Sequence, residues 1–269
     1  MAMVINTNIA SLNATRQLDL SSREQSVAME RLTSGLRINS AADDAAGLAV
    51  VTSMTSQIMG TDMAVRNTND GISLAQTIDG ASEEMMNMMQ RQRELMVQGL
   101  NDTYQATDIT AMQSEYDALS SELGRIAATT KFNGVPVMDA AGSIAIQVGW
   151  ETSANDQIDV PKIDATTIST AVAGYSIDTS ADLASLDTQL LAISTARSAV
   201  GAVQNRLEHT VSNLQNVSEN MSSARSMIQD ANFAQESANL ARTQVLQQAG
   251  MSMLAQANQS SQNVMQLLQ

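Results

Sequence analysis

The sequence contains no cysteine and only one histidine among its 269 residues. Without cysteine the chain forms no disulfide and no thiolate metal site, and a single histidine gives no metal-ligand spacing. Aromatic residues make up only 2% of the chain, and proline occurs twice. This composition is typical of long, thin helices with narrow apolar seams. We therefore expect no metal site, no cofactor site and no catalytic constellation.

Basic residues are also scarce, with 14 Lys and Arg against 28 Asp and Glu, for a net charge of -14. The few basic residues form no cluster, which argues against nucleic acid as a partner. No apolar run approaches the ~18 to 20 residues that span a bilayer, so we expect no membrane insertion. The first 17 residues have no basic stretch and no long apolar core, so a cleaved secretory signal is not expected either.

Apolar residues recur at heptad spacing in the second half of the chain, within residues 183–221. A shorter stripe of the same kind covers residues 109–126, and a looser one lies within residues 44–101. Helices that carry one apolar seam each must pack against one another. The sequence therefore predicts a mainly α fold, an elongated antiparallel helical bundle or coiled coil.

The helical period disappears between residues 131 and 175. Asn133 and Gly134 form an Asn-Gly pair, and the following SIAIQVGW alternates apolar with polar residues. Both features are hairpin signals. We predict a small β-hairpin region at about residues 132–175, too small for a separate domain and dispensable for assembly.

Both chain ends carry weaker stripes, in which many of the apolar positions are alanine. Alanine buries little area, so an isolated pair of such helices gains little at ~25 cal/mol per Å². The ends therefore look suited to stabilisation by neighbouring copies. The predicted self-assembly positions are Ile5, Ile9, Leu12, Ala234, Ala238, Ala241, Val245, Leu267 and Leu268.

Asp43 and Asp44 are adjacent acids that invite a catalytic interpretation. Successive residues on a helix point to different faces, so an acid–base pair is not favoured. Ser40 followed three residues later by Asp43 is instead typical of a capping box at a helix start, and Gly35 is a suitable end for the preceding helix. We interpret the two acids as the boundary between two helices.

Five segments in order resemble bacterial flagellins over nearly the whole chain. They are INTNIASLNA (5–14), ERLTSGLRINSAADDAAGLAV (30–50), QRQRELMVQ (90–98), TKFNGV (130–135) and ANQSSQNVMQLLQ (257–269). The resemblance implies a secreted structural subunit that self-polymerises into the extracellular flagellar filament for swimming. It also implies an inner layer from residues 1–40 and 227–269, and an outer layer from residues 41–226 that includes the hairpin region.

The same resemblance implies several partners besides further copies of the chain. These are the flagellar type III export apparatus, an export chaperone and the filament cap. In many flagellins the QRxRELxVQ helix and a downstream glutamate are recognised by a Toll-like receptor. The matching positions here are Gln90, Arg91, Glu94, Leu95, Gln98 and Glu115, with Arg91 the sharpest candidate.

Two other classes remain open from the residues. One is the hook-filament junction protein, which has similar ends, although QRQRELMVQ and the C-terminal segment favour filament flagellin. The other is a helical adhesin or scaffold unrelated to motility. An enzyme is the weakest class, because no catalytic constellation is visible.

Overall fold

The computed structural model describes the backbone of residues 8–266 and the side chains of residues 8–259. Most of this chain is α-helical, as the sequence predicts, with short strands in its middle. The helices are α1 (Ile9–Ser34), α2 (Ala45–Gly99), α3 (Ala106–Thr129), α4 (Ala165–Val172), α5 (Ser180–Gln229) and α6 (Phe233–Gln266). Among the described residues, no helix is long and apolar enough to cross a membrane.

The short strands form two separate antiparallel hairpins between α3 and α4. β1 (Lys131–Phe132) pairs with β2 (Val135–Pro136), and β3 (Gly142–Gln147) pairs with β4 (Gln157–Lys162). Asn133 and Gly134 connect β1 to β2 with φ values of 48° and 81°. Positive φ at both central residues is the requirement of the tight hairpin turn that Asn-Gly favours. The predicted hairpins are thus confirmed, but the last part of the predicted region is the helix α4.

α2 and α5 run antiparallel, and polar contacts along their length fix the register. Going along α2 from its N-terminal part, Ser218 donates a hydrogen bond to Asp62, Arg197 forms an ion pair with Asp79, and Asp187 forms an ion pair with Arg93. The α5 face toward the core is the predicted heptad stripe. Its fully buried members, seven residues apart, are Leu186, Ile193, Val200 and Leu207.

The described chain divides into two compact units, and the larger comprises Gln57–Glu219. Its core joins the α5 stripe to large side chains from α2, α3 and the segment between α3 and α5. Tyr116 is fully buried, and its hydroxyl donates to the backbone carbonyl of Val172 at 3.0 Å. Burial raises the pKa of this tyrosine. The β3–β4 hairpin, α4 and the link between them contribute Ile158, Val160, Ile163, Ile168 and Val172 to the same core.

The second unit comprises the described residues of Met1–Ser56 and Asn220–Gln269, and its main feature is the pair of α1 and α6. Many Cα atoms of these two helices lie within 8 Å of each other, whereas α2 and α5 rarely approach so closely. The side chains between α1 and α6 explain this closeness, because they are mostly small or polar. We call them the intrachain seam: Leu18, Ser21, Ala28, Glu236, Thr243 and Gly250.

The intrachain seam consists of residues that the sequence interpretation did not name. The predicted self-assembly positions Ile9, Leu12 and Val245 lie outside it and are 60%, 59% and 64% exposed. Close approach of two backbones requires small side chains, and the larger apolar ones are therefore turned away.

Two breaks in the helices lie within this unit. Residues 35–44 separate α1 from α2, and residues 230–232 separate α5 from α6. Gly35 ends α1 with φ 72°, and its N–H donates to the carbonyl of Arg31, as the sequence predicts. Leu36 and Asp230 form an isolated antiparallel bridge. The N–H of Ala231 also donates to the carbonyl of Gly35 at 2.9 Å. The two interruptions are thus joined by backbone hydrogen bonds.

The start of α2 differs slightly from the predicted capping box. α2 begins at Ala45, and the carboxylate of Asp44 accepts from the N–H of Gly47 at 2.9 Å. Asp43 instead accepts from the N–H groups of Ser40 and Asn39, at 2.8 and 3.1 Å, within the preceding turn, and these backbone donors lower its pKa. Both aspartates are boundary residues, as expected, but Asp44 is the helix cap.

Candidate functional site

The predicted self-assembly positions lie on the exposed faces of α1 and α6. We call the described ones the outer stripe: Ile9, Leu12, Ala234, Ala238, Ala241 and Val245. Ile5, Leu267 and Leu268 were also predicted and lie outside the described residues. Exposed apolar patches on a folded chain mark interaction sites. The outer stripe therefore leaves α1 and α6 with apolar surface that this chain does not cover.

Further exposed apolar residues accompany the outer stripe. Leu20, Val27 and Met29 are exposed on α1. The corresponding residues of α6 are Phe233, Leu246, Met251 and Met253. The apolar stripe of the sequence already included Leu20 and Val27, but it did not include Met29 or these four residues of α6.

Among the described residues, one ion pair joins α1 to α6. Arg31 Nη1 lies 3.2 Å from Glu236 Oε1, and Asn239 donates to the other carboxylate oxygen at 3.3 Å. Glu236 is buried, so its carboxylate oxygens depend on these two donors for hydrogen bonds. Near the far end of the pair, the side-chain amide of Asn8 donates to the carbonyl of Ala257. These directed contacts fix the register that small apolar side chains leave weakly specified.

The second candidate region is the exposed face of α2 that carries the QRQREL motif. Arg91 lies 3.0 Å from Glu94 on the same helix and 2.9 Å from Glu115 on α3. Hydrogen bonds from its guanidinium to Glu94 and Glu115 raise the pKa of Arg91. The three side chains are exposed and form one charged cluster across two helices.

The other residues carried over by resemblance occupy different environments. Gln90 and Gln98 are exposed, and Gln98 donates to the hydroxyl of Tyr104 at 3.1 Å. Leu95 is only 1% exposed and belongs to the core. Any role of Leu95 in recognition would therefore act through the position of the helix and not through direct contact.

Gln92 is a residue in this motif that the sequence interpretation missed. It is fully buried, and its side-chain amide donates to the carbonyl of Tyr116 at 3.3 Å and to Ser120 Oγ at 2.8 Å. A buried amide that spans two helices fixes their separation and rotation. Gln92 therefore fixes α3 in the position in which Glu115 forms its ion pair with Arg91. No feature of the sequence distinguished this glutamine from its exposed neighbours.

Among residues 8–266, no group of three or more His, Cys, Asp or Glu side chains is arranged to hold a metal ion. The sole histidine, His209, lies exposed on α5. The described arrangement is instead that of a helical protein with uncovered apolar faces on its terminal helices. Such a protein belongs to the class of self-associating helical subunits.

Comparisons with known proteins narrow this class. Residues 5–142 match the model of the bacterial flagellin N-terminal helical region, and residues 183–268 match that of the C-terminal helical region. Flagellin of Halalkalibacterium halodurans is 45% identical, over 99% of this chain and 100% of the relative. Flagellin of Bacillus subtilis is 39% identical over the same shares. A crystal structure of Bacillus cereus flagellin is also similar, with 30% identity, a TM-score of 0.49 and coverage of 60% of this chain and 94% of that one.

The chain belongs to the bacterial flagellin family. It is a structural subunit of the flagellar filament, a homopolymer that lies outside the cell. The matches favour neither the junction protein nor an adhesin or scaffold. The family is structural rather than enzymatic.

Proposed function

We propose that the outer stripe of α1 and α6 is the surface through which the subunits join in the inner layer of the filament. The inner layer comprises residues 1–40 and 227–269, and the outer layer comprises residues 41–226. The observation that supports this proposal is that α1 and α6 each have two different faces, one that packs within the chain and one that is exposed. The intrachain seam is small or polar and is already covered, whereas the outer stripe is apolar and uncovered.

Leu12→Gln tests this proposal, with Asn13→Gln as its matched control. Both substitutions place the same polar side chain at an exposed position of α1, but only the first removes an apolar residue from the outer stripe. We expect Leu12→Gln to slow seeded filament growth and Asn13→Gln to leave it unchanged, measured by sedimentation of the polymer. Equal growth of the two variants would contradict the assignment of this face.

The route to the filament is proposed from family membership. The subunit passes through the flagellar type III export apparatus, is held before export by a dedicated chaperone, and is added to the filament beneath a cap. The exposed apolar face of α6 supports a chaperone there, because such a surface needs cover before assembly. Co-purification of a cytosolic partner with the full chain, lost when residues 249–269 are removed, is the expected result. Retention by the shortened chain would exclude this segment.

Recognition by a Toll-like receptor is a further proposed property of the free subunit. The exposed cluster of Arg91, Glu94 and Glu115 supports it, because a guanidinium held between two carboxylates is rigidly presented. Gln90 and Gln98 extend the same exposed surface, and Leu95 supports it from within.

Arg91→Ala should weaken receptor signalling by soluble monomer, by about 2 kcal/mol if Arg91 is a hot spot. Arg125→Ala is the matched control, because Arg125 forms an exposed ion pair with Glu122 on α3, outside the motif. An unchanged signal from Arg91→Ala would remove the receptor proposal and leave the filament assignment intact.

A further inference from the structure

Two methionines are exposed on one turn of α6, next to its close contact with α1. The side chains of Met251 and Met253 are 54% and 63% exposed. Gly250 precedes them and faces α1, because a Cβ built on it would lie 2.8 Å from the side chain of Leu18. Residues two apart on a helix point about 200° apart, so the two thioethers lie on either side of this contact. We call these two residues the Met251–Met253 pair.

The part of α6 that carries the Met251–Met253 pair has no charged side chain. Arg242 is the last charged residue of the helix before the pair, and residues 243–259 contain none. Val245 and Leu246, one to two turns before the pair, are 64% and 43% exposed. The two thioethers thus extend an apolar, uncharged surface. A polar group formed at either sulfur would find no charged partner on this stretch of the helix.

The core methionines of the larger unit are in the opposite situation. Met85, Met89, Met96 and Met138 are fully buried and pack in its core. An oxidant must contact the sulfur atom to react with it, so these four are shielded in the folded chain. Because the chain has no cysteine, its exposed thioethers are the sulfur atoms that an oxidant in solution meets. Oxidation is therefore directed to the surface and away from the core.

We propose that the Met251–Met253 pair is a reversible oxidation site that controls entry of the free subunit into the filament. Hydrogen peroxide is the oxidant: an S–O bond forms at the thioether sulfur, the O–O bond of the peroxide breaks, and water leaves. The sulfur is thereby oxidised to the sulfoxide and the peroxide is reduced. A methionine sulfoxide reductase reverses the step, because two thiols become a disulfide while the sulfoxide oxygen leaves as water.

The effect of oxidation on assembly follows from the change in polarity. This inference rests on the proposed function, in which other copies of the chain cover the exposed apolar surface of α6. A sulfoxide is polar, and burying it without a hydrogen-bond partner costs free energy that burying a thioether does not. An oxidised free subunit is therefore excluded from the growing filament. In a subunit that is already assembled, the same cover shields both sulfur atoms from the oxidant.

The first test oxidises the wild-type monomer with hydrogen peroxide, removes the peroxide with catalase, and adds the monomer to untreated filament seeds. Peptide mass spectrometry should show sulfoxide at Met251 and Met253 and none at the buried Met89. We expect seeded growth to fall about 10-fold, the effect of burying an unpaired polar group. Methionine sulfoxide reductases A and B should restore it. Unchanged growth of monomer that carries both sulfoxides would overturn the proposal.

The second test compares two double variants under the same peroxide treatment. Met251→Leu with Met253→Leu keeps the apolar volume but cannot be oxidised at these positions. Met59→Leu with Met63→Leu is the matched control, because these methionines of α2 are 64% and 48% exposed. We expect the first variant to keep its growth and the control to lose it, as wild type does. Equal growth of the two treated variants would overturn the proposal, whereas failure of untreated wild type to grow would instead contradict the filament function.

Discussion

The α1–α6 pair and the unit Gln57–Glu219 are both helical, yet they are held together by different kinds of side chain. In the larger unit, leucine, isoleucine, valine and methionine fill the space between helices. Fully burying such a side chain contributes ~1.5–3 kcal/mol. Between α1 and α6, serine, alanine, threonine and glycine allow a closer approach but bury little apolar area. The comparison shows that two helices can pack closely and still bury too little apolar area to be stable without other copies of the chain.

The cost of ordering the chain makes this difference decisive. Fixing the backbone of each residue costs ~1–2 kcal/mol, whichever side chain it carries. The larger unit offsets this cost within one chain. In α1 and α6 the intrachain seam buries too little apolar area to offset this cost. The remaining stabilisation must come from burial of the outer stripe when other copies cover it. The terminal helices are therefore expected to depend on assembly, while the larger unit is not.

The largest expected effect comes from replacing residues 143–173 with a short Gly-Ser linker. The sequence alone indicated that this segment was dispensable, but the structure argues against that view, since Ile158, Val160 and Val172 lie in the core of the larger unit. Their loss would remove part of the core that also contains Tyr116 and Leu207. We expect the variant to lose cooperative unfolding of the larger unit, followed by circular dichroism. A cooperative transition at the wild-type temperature would restore the original expectation.

Leu207→Ala should lower the free energy of unfolding of the larger unit by about 2–5 kcal/mol, because it leaves a cavity beside the hairpin. Leu207 is fully buried, and a Cβ on Gly71 would lie 3.4 Å from one of its methyl groups. Leu191→Ala is the matched control on the same helix, since Leu191 is 67% exposed. Urea titration of the two monomers measures the difference, and equal midpoints would contradict the described core.

Arg31→Met tests the register of the α1–α6 pair. It leaves the buried carboxylate of Glu236 with only the amide of Asn239 as a donor. Because Arg31 keeps about 30% of its side chain exposed, we expect a loss of only about 1–2 kcal/mol, seen as a lower melting temperature of filaments. Arg23→Met is the control, because Arg23 makes no ion pair among the described residues. Equal melting of the two filaments would show that the pair does not set the register.

The smallest effect is expected at the start of α4, within the larger unit. Asp164 accepts from the N–H of Thr167 at 3.0 Å, and this bond is the main reason that its pKa is lowered. The folded pKa lies below the unfolded one, so the stabilisation is present above the unfolded pKa and is lost as pH falls through the folded pKa. Asp164→Asn keeps a cap but does not titrate, and it should flatten this part of the acid unfolding curve. An unchanged acid limb would exclude Asp164 as a contributor.

Large, periodic side chains explain which parts of the fold the sequence predicted. The α5 stripe and the Asn133–Gly134 turn were correct because heptad spacing and positive φ each leave a strong local signal. The intrachain seam could not be predicted, because residues such as Ser21 and Gly250 carry no hydrophobic signal. Gln92 was missed for a related reason, since its role depends on the carbonyl of Tyr116, a group that every residue type has.

Hydrogen exchange of the free monomer and of the filament tests the central difference between the two regions most directly. In the monomer we expect fast amide exchange in α1 and α6 and slow exchange in α5 around Val200. In the filament we expect strong protection in all three helices, because other copies then cover the outer stripe. Protection of α1 and α6 that is equally strong in monomer and filament would contradict the account.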